Sequence, residues 1–507
     1  MDIKIDRQAP TPLYLQIKKQ IAALIDSGKL PPNSILPPER VLSDTLKVNR
    51  STIIKAYMEL KAEGLVDSRV GSGTVVLSPL TREGTVETKM YIPPLRWNQL
   101  ESKRVAKAGE QTISNILSVF EKDKIISFAS GIASEDCYDL ELFKKLQVNL
   151  LDKYSQKILM PTPVEGCSEL RHTIRNYLQK KGIRCSSKQI MVTSGSQQAI
   201  EFLARLLIEP GDVVLVEEPT YIGAIQAFES YDACIVSIPM DDEGIRLDIL
   251  EACLIKYRPK FIYTQPTFHN PTGMTMSLGR RKDLLKLAYY YNIPILEDNP
   301  YEELNYEGEK LPTIKSLDNN DYVIYVSSFS KTISFSLRIG YVVASENIIN
   351  RFIKFKQVTD IQTNTLSQYF VHEFVSEGYL FNHIERISTL FKAKRDLMIS
   401  ELRKGNFECM MTCIPKGGYF LWLSLPDNIR MNELTKLLGD SGVIVMPGDV
   451  FYPRFSIENN FLRLNFSYPK EKDIKEGIAR LLEGVGRCSK NTLKTRYPVD
   501  TVLNPYL

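Results

Sequence analysis

The sequence predicts a multi-domain chain: a small N-terminal unit of three helices and a two-stranded wing, then a large α/β domain. Three observations predict it. At 507 residues the chain is too long for one ordinary core. Residues 11–78 carry apolar side chains at helical spacing and end in a glycine-punctuated hairpin pattern. From about residue 123, short β-branched runs alternate with helical stretches, as in βαβ units around a largely parallel sheet.

In the first unit, Leu13, Ile17, Ile21 and Leu24 fall on one face of a helix that ends near Ser27-Gly28. Leu36-Pro37-Pro38-Glu39-Arg40 opens a second helix, because proline suits a first turn and glutamate suits the positive end. Leu42 and Leu46 face inward. The turn Lys47-Val48-Asn49 leads into a third helix at Arg50-Ser51-Thr52, with Ile53, Tyr57 and Leu60 on its inner face and Ser51 and Lys55 on another. Arg50 therefore sits where a recognition helix meets base edges in the major groove. Gly64 ends this helix, and residues 66–76 form the wing, with Gly71 and Gly73 at its tip. Residues 1–78 carry eleven Lys and Arg against eight Asp and Glu, which is compatible with DNA but does not by itself demand it.

Residues 79–122 mix charge, glycine and a Pro-Pro pair and read as a linker with a short helix near 110–120. Strands follow at QIMVTSG, DVVLVEE, ACIVSIP, PKFIYTQP, IPILEDNP and DYVIYVSS, and residues 488–507 read as a polar tail. The composition, 43% hydrophobic and 24% charged with a net charge of +4, is that of a globular protein. Eight scattered cysteines and four histidines give no zinc-type spacing, so no metal is expected. The start MDIKIDRQAP lacks a signal-peptide layout, and no apolar run approaches the length of about 18 residues that spans a bilayer. The expected location is the cytoplasm, away from the membrane.

Chemistry concentrates at the carboxyl ends of the strands, where α/β sheets hold ligands. Asp298 follows the strand at 293–296, and Tyr301 stands three residues on. Lys331 follows the strand at 322–326 within Ser327-Ser328-Phe329-Ser330-Lys331, and Arg338 lies seven residues further. Gly195-Ser196-Gln197 separates the strand at 190–192 from a helix starting near Gln198, so backbone N–H groups there suit an anion. Asn270 lies in the turn His269-Asn270-Pro271-Thr272-Gly273, and Tyr221 in Glu218-Pro219-Thr220-Tyr221. Alone, each is unremarkable: an aspartate after a strand is usually a helix cap, and Asn-Pro is usually a turn. Together, in this order, they supply what pyridoxal 5′-phosphate (PLP) requires. Lys331 holds the aldehyde; Asp298 faces the ring nitrogen; Asn270 and Tyr301 donate to the phenolic oxygen; Tyr221 stacks. Gly195, Ser196, Gln197, Ser328, Ser330 and Arg338 grip phosphate.

The N-terminal stretch from PLYLQIKKQ to GSGTVV resembles the winged helix-turn-helix of the GntR family along its whole length. Residues 123–487 resemble class I aminotransferases of fold type I, and the combination is similar to the MocR subgroup of GntR regulators. The resemblance covers roughly nine-tenths of the chain, omitting linker and tail. It implies a dimer, a double-stranded DNA operator, and contacts to it by Arg40, Arg50, Ser51, Thr52 and Lys55. It also implies a minor-groove approach by Arg69 with the Gly71–Gly73 tip. It assigns Arg463, in Phe461-Leu462-Arg463-Leu464, to a ligand carboxylate, which a guanidinium binds with two parallel hydrogen bonds. Gly417-Gly418-Tyr419-Phe420-Leu421-Trp422 and Val445-Met446-Pro447-Gly448 also match, and build a smaller α+β C-terminal subdomain.

Two departures stand out. Pro161 occupies the place of a tyrosine that reaches the neighbouring subunit's phosphate, and Phe335-Ser336 replaces the usual Pro-Gly before Leu337-Arg338. The resemblance therefore implies a regulator that senses an amine, an amino acid or PLP itself at Lys331. Its alternative is a working aminotransferase that carries a DNA-binding domain.

Overall fold

The computed structural model describes residues 1, 3–69, 73–77, 95, 97, 100, 125–307, 309–405, 410–453 and 460–495, and divides into two compact units, Met1–Arg96 and Trp97–Leu507. Most of the expected linker, its helix near 110–120, Gly71 and the Arg69 side chain lie outside the described residues.

The first unit is the expected three helices and wing: α1 (Leu13–Asp26), α2 (Glu39–Leu46), α3 (Arg50–Ala62), β1 (Val66–Arg69) and β2 (Gly73–Val76). The Asn49 side chain caps α3 by accepting from the Ser51 backbone N–H at 3.0 Å, satisfying one of the orphan donors of the first turn. Ile17, Ile21, Ile53, Leu60 and Val76 are fully buried in one cluster. The inward stripe of α1 ends on Ile25 rather than Leu24, which is only half-buried: the helix continues to Asp26, and the i+4 position from Ile21 faces the core. Sequence reasoning also missed an N-terminal arm. The Gln16 and Gln20 amides each bond both backbone groups of one arm residue, Asp6 and Lys4 respectively, at 2.7–3.0 Å, and Ile3 is buried.

The second unit is built on an eight-stranded sheet. In chain order the elements are β3 (Ile126–Ser127), α4 (Leu140–Tyr154), α5 (Ser168–Gln179), β4 (Ile190–Ser194), α6 (Ser196–Leu207), β5 (Val213–Glu218), α7 (Ile222–Glu229), β6 (Cys234–Asp241), β7 (Gly244–Ile245), α8 (Leu247–Tyr257), β8 (Ile262–Thr264), α9 (Leu278–Tyr291), β9 (Ile295–Asp298), α10 (Ile314–Leu317), β10 (Val323–Ser328) and β11 (Ile339–Val343). The strand order is β4-β11-β10-β9-β8-β5-β6-β7. From β10 to β6 every pairing is parallel; β11 runs antiparallel between β10 and β4, and β7 antiparallel to β6. Side chains alternate across the sheet. Ile190, Val192 and Tyr325 pack with α4 and α5 on one face; Met191, Val216, Leu296 and Val326 pack with α6 and α7 on the other. Both faces are covered, so β9 and β10 read as continuous apolar runs that turn polar only at their carboxyl ends.

The chain continues through α11 (Glu346–Thr359), α12 (Thr365–Ser376) and α13 (Tyr379–Lys404) into the smaller subdomain: β12 (Phe420–Ser424), α14 (Met431–Asp440), β13 (Val443–Ile444), β14 (Met446–Pro447), β15 (Phe461–Asn465) and α15 (Glu471–Thr495). Its three-stranded sheet has the order β12-β15-β14. The last helix passes residue 488, where a tail was expected to begin. Ile474, Ile478, Leu481, Val485 and Cys488 form one buried stripe at spacings of three and four, so the helix carries on through Cys488 to Thr495. Among the described residues no helix is long and apolar enough to cross a membrane.

Leu481 lies mid-stripe at 1% exposure. Leu481→Ala is expected to lower the stability of this unit by about 2–5 kcal/mol in chemical denaturation. A loss below about 0.5 kcal/mol, the size of an ordinary surface change, would show that α15 does not seal the subdomain.

Candidate functional site

Parallel pairing brings the carboxyl ends of β5, β8, β9 and β10 to one edge of the sheet, β4 joins them through the antiparallel β11, and a cavity of about 360 Å³ opens there. Ten of the eleven residues expected around PLP line it: Ser196, Gln197, Tyr221, Asn270, Asp298, Tyr301, Ser328, Ser330, Lys331 and Arg338; so does Arg463. Gly195 stands just behind the wall. Its φ is +79°, and a Cβ there would lie 2.4 Å from Arg338 Nη2, so only glycine lets that guanidinium approach.

Asp298 is the last residue of β9, two residues beyond the expected strand end, and is 1% exposed. Its Oδ2 accepts from the Tyr263 hydroxyl (2.8 Å) and the Gln265 amide (2.7 Å). Its Oδ1 is buried with no partner. Burial pushes this carboxyl up to about 6, while the Gln265 and Tyr263 donors and the Lys331 charge pull it back. A buried acceptor left unpaired costs about 1–3 kcal/mol, and the N–H of a protonated pyridine ring satisfies it. By this test the residues fit PLP. Tyr263 and Gln265 escaped the sequence reading because β8 looks like any apolar strand; only its pairing with β9 sets these two polar groups beside the acid.

Lys331 follows β10 in a turn, and its Nζ donates to the Gly131 carbonyl at 2.6 Å. Burial, then the positive Arg338 and Arg463, pull this amine down to about 7. Tyr301 is buried beside it, with its ring centroid 5.8 Å from Nζ. The Tyr419 hydroxyl donates to the Lys331 carbonyl at 2.6 Å and fixes the backbone of the turn.

On the phosphate side α6 begins at Ser196, not near Gln198, so Ser196 and Gln197 form its first turn. The helix has no side-chain cap, which leaves first-turn N–H groups for an anion. Arg338 adds its charge, tethered to the Ser194 carbonyl (3.2 Å) and Ser330 Oγ (3.4 Å). The Ser328 hydroxyl donates to the Ile339 carbonyl and accepts from the Ser330 N–H, so it shapes the turn as well as lining the cavity. Phe335 opens a 3-10 turn, and its ring lies between Lys331 Nζ (5.5 Å) and Arg338 (4.8 Å), so the departure from Pro-Gly puts an aromatic wall beside the lysine. Thr162, next to Pro161, is tied by its N–H to Gln362. The Tyr154 hydroxyl is committed to Glu373 at 2.5 Å.

Arg463 is 4% exposed, with its guanidinium 4.2 Å from the Phe420 ring and 4.9 Å from the Phe451 ring. It donates to Asn270 Oδ1 (2.9 Å) and the Ala129 carbonyl (2.6 Å), and its Nε has no partner. Asn270 thus spends its carbonyl on Arg463 and keeps its amide N–H groups for the cavity. Burial pulls the guanidinium down to about 10.

In the first unit Arg50 is exposed at the start of α3 and pairs with Glu39 at 3.1 Å. Arg40 is exposed on α2, Thr52 is half-buried, and exposed Lys55 sits 4.1 Å from the Tyr14 ring. The Ser51 hydroxyl donates to Asn49. Gly73 opens β2 at φ +81°.

The neutral amine is the form that attacks an aldehyde, and its fraction rises with pH through the Lys331 pKa. The rate of PLP loading is therefore expected to climb through a midpoint at about pH 7, followed as lysine-bound cofactor absorbance. A midpoint near the ordinary lysine value of about 10 would contradict this geometry.

A family model described as aminotransferase class I and II matches residues 124–481, and one described as bacterial regulatory proteins, gntR family, matches residues 13–76. The chain is 36% identical over 409 residues to aromatic-amino-acid aminotransferase 1 of Thermococcus litoralis, covering 80% of this chain and 98% of that protein. It is 31% identical over 470 residues to the uncharacterized HTH-type transcriptional regulator YdfD of Bacillus subtilis, covering 93% of this chain and 95% of that one. The solved structure of a multiple substrate aminotransferase from Thermococcus profundus superposes with a TM-score of 0.73 at 36% identity, covering 78% of this chain and all of that one. The chain therefore belongs to the MocR-like GntR regulators, in which a gntR-type DNA-binding domain is fused to a class I and II aminotransferase domain of the PLP-dependent fold type I.

Proposed function

We propose that this chain is a transcriptional regulator in which an amine or amino acid is sensed at Lys331 and alters binding to a double-stranded DNA operator. The single observation that carries this is one cavity lined together by the half-buried Lys331, Asp298 and Arg463, in a chain that also carries a DNA reader. When bound, PLP supplies an aldehyde carbon that one amine at a time can occupy. Lys331 would hold that carbon, and when displaced its Nζ would have the Gly131 carbonyl as its acceptor. Arg463 exchanges part of its hold on Asn270 and Ala129 for the ligand carboxylate. Because Ala129 and Arg463 belong to different segments, the exchange favours one closure state of the unit. The ligand shifts that equilibrium only by its affinity difference between states.

The proposed division is a reader at 1–78, a linker at 79–122 and an aminotransferase-like domain from 123 through the end of α15. The proposed assembly is a cytoplasmic homodimer, whose paired reading helices suit paired half-sites. Exposed Leu159, Met160, Val358 and Ile361 support it: they come from two segments tied by Thr162 to Gln362 and Thr365 to Met160, and such an apolar face suits a partner. Arg50, Arg40, Thr52 and Lys55 are the proposed operator contacts, with Ser51 ordering the helix start.

The retained Asp298, Lys331 and Arg463 favour a second reading, a working aminotransferase. Steady release of keto acid over many turnovers would select it.

Operator affinity, measured on apo, PLP-loaded and amino-acid-treated protein, is expected to differ between the last two by roughly fivefold or more, the low end of ordinary coupling. Lys331→Ala is expected to lose both that difference and the lysine-bound cofactor absorbance while keeping its circular dichroism. Equal affinities in the wild type, or an unchanged spectrum in the variant, overturn the proposal. Separately, Arg50→Ala is expected to weaken operator binding about 5- to 150-fold, the range for one lost guanine pair, with PLP loading unaltered. Undiminished DNA affinity would remove Arg50 from the reading face.

A further inference from the structure

The turn between β4 and α6 is held from outside, by side chains that converge on it from both of its ends. Gly195 makes the bend at φ +79°, and the first turn of α6 has no side-chain cap of its own. Ser194, before the glycine, has its three polar groups engaged. Its N–H donates to Gln198 Oε1 (3.0 Å), its hydroxyl donates to Asp360 Oδ2 (2.9 Å), and its carbonyl accepts from Arg338 (3.2 Å). Gln198, after the glycine, turns its Nε2 to the same Asp360 oxygen at 3.0 Å. Lys356 completes the ring: its Nζ donates to Gln198 Oε1 (2.8 Å) and to both oxygens of Asp360 (2.9 and 2.8 Å). On the other side β11 presses in so closely that a Cβ at Gly340 would lie 2.7 Å from the Ser196 nitrogen. The bend is gripped between that strand and one ion pair at the end of α11.

The pair is an expensive way to fill this space. Lys356 is fully buried, and Asp360 is half-buried. An ammonium taken out of water is costly unless paired, and apolar side chains in place of a buried ion pair are often neutral or stabilising. Burial pulls Lys356 below the ordinary lysine value, and Asp360 holds it up against that pull. The pair adds no net charge, and among the described residues its side chains bond only each other, Gln198 and Ser194. What it supplies is direction. Gln198 fixes the start of α6, whose first-turn N–H groups are open to an anion, and Ser194 presents the carbonyl that aims Arg338. Donors placed this way need a rigid support to hold their geometry.

Resting on the placement of the PLP phosphate at the start of α6, we propose that Lys356, through its ion pair with Asp360, is a positioning residue that sets the affinity of this turn for phosphate. Apo full-length protein is titrated with PLP and with pyridoxal, which carries the same ring and aldehyde without the phosphate, and lysine-bound cofactor absorbance is followed. The wild type is expected to hold PLP roughly tenfold or more tightly than pyridoxal, through charge-assisted bonds to the phosphate. Lys356→Met, of similar length and uncharged, is expected to weaken PLP roughly tenfold, the low end for one charge-assisted hydrogen bond, and to leave pyridoxal unchanged. A general loosening of the unit would disturb Lys331 and Asp298 too, and so lower both affinities together. Equal losses for the two forms, or no loss for either, overturn the inference and leave the phosphate placement standing. A wild type that holds pyridoxal as tightly as PLP brings down the phosphate placement, and the inference with it. If circular dichroism shows that Lys356→Met does not fold, Asp360→Asn carries the same comparison, since it removes the charge and one of the two acceptor oxygens at a half-buried site.

Discussion

Parallel register between β9 and β10 is the constraint on which the rest of the aminotransferase unit depends. It sets Asp298 opposite Val326, so the acid and the turn bearing Lys331 reach the same edge of the sheet. A slip of one residue in either strand would turn every side chain to the opposite face and point the carboxylate into the packed layer against α6 or α9. The alternation that covers both faces guards against that slip: Ile324 and Val326 belong to one layer, Val323 and Tyr325 to the other. The apolar core thus fixes the distance between acid and lysine, though neither residue contributes to it.

The same edge concentrates positive charge. Among the described residues, Lys331, Arg338 and Arg463 line one cavity with a single carboxylate, and burial has brought both Lys331 and Arg463 below their ordinary values. An isolated protein pays for such an arrangement in stability, and anions that bind the folded state return it by mass action. A phosphate at the α6 end and a carboxylate at Arg463 are complementary to this field. Burial, reinforced by these charges, also keeps the lysine amine neutral enough to react near neutral pH, so anchoring and reactivity share one enclosed, cationic environment.

Local pattern carried the strands β4, β5, β6, β8, β9 and β10, the three helices of the reader, and the polar residues at strand ends. What it missed came from pairings distant in sequence. Strand β11 follows Arg338 so closely that its run merged with the lysine turn, and nothing local announces that it inserts antiparallel between β10 and β4. Tyr263 and Gln265 looked like strand residues until β8 was laid against β9. Nothing local marks Gln16 and Gln20, yet they clasp the backbone of the arm. Cys488 was discounted because the following residues are polar, although it completes a stripe begun at Ile474. Function-bearing residues were legible because their chemistry limits the residue types; their supports were not, since many polar side chains can fill such a role.

The two departures from the aminotransferase pattern leave the groups that line the cavity around Asp298 in place. The ring-nitrogen side keeps its full set, with Asp298 supported by two donors and Asn270 braced by Arg463. Away from it, Pro161 offers no hydroxyl and Tyr154 is committed to Glu373, while Phe335 stands beside Lys331 where a small turn is usual. An equilibrium sensor needs the lysine, the acid and a ligand anchor, because its output depends only on which amine is held. A catalyst needs, in addition, a cofactor clamped firmly enough for protons to move repeatedly along one path, so losses at the phosphate weigh more heavily on it.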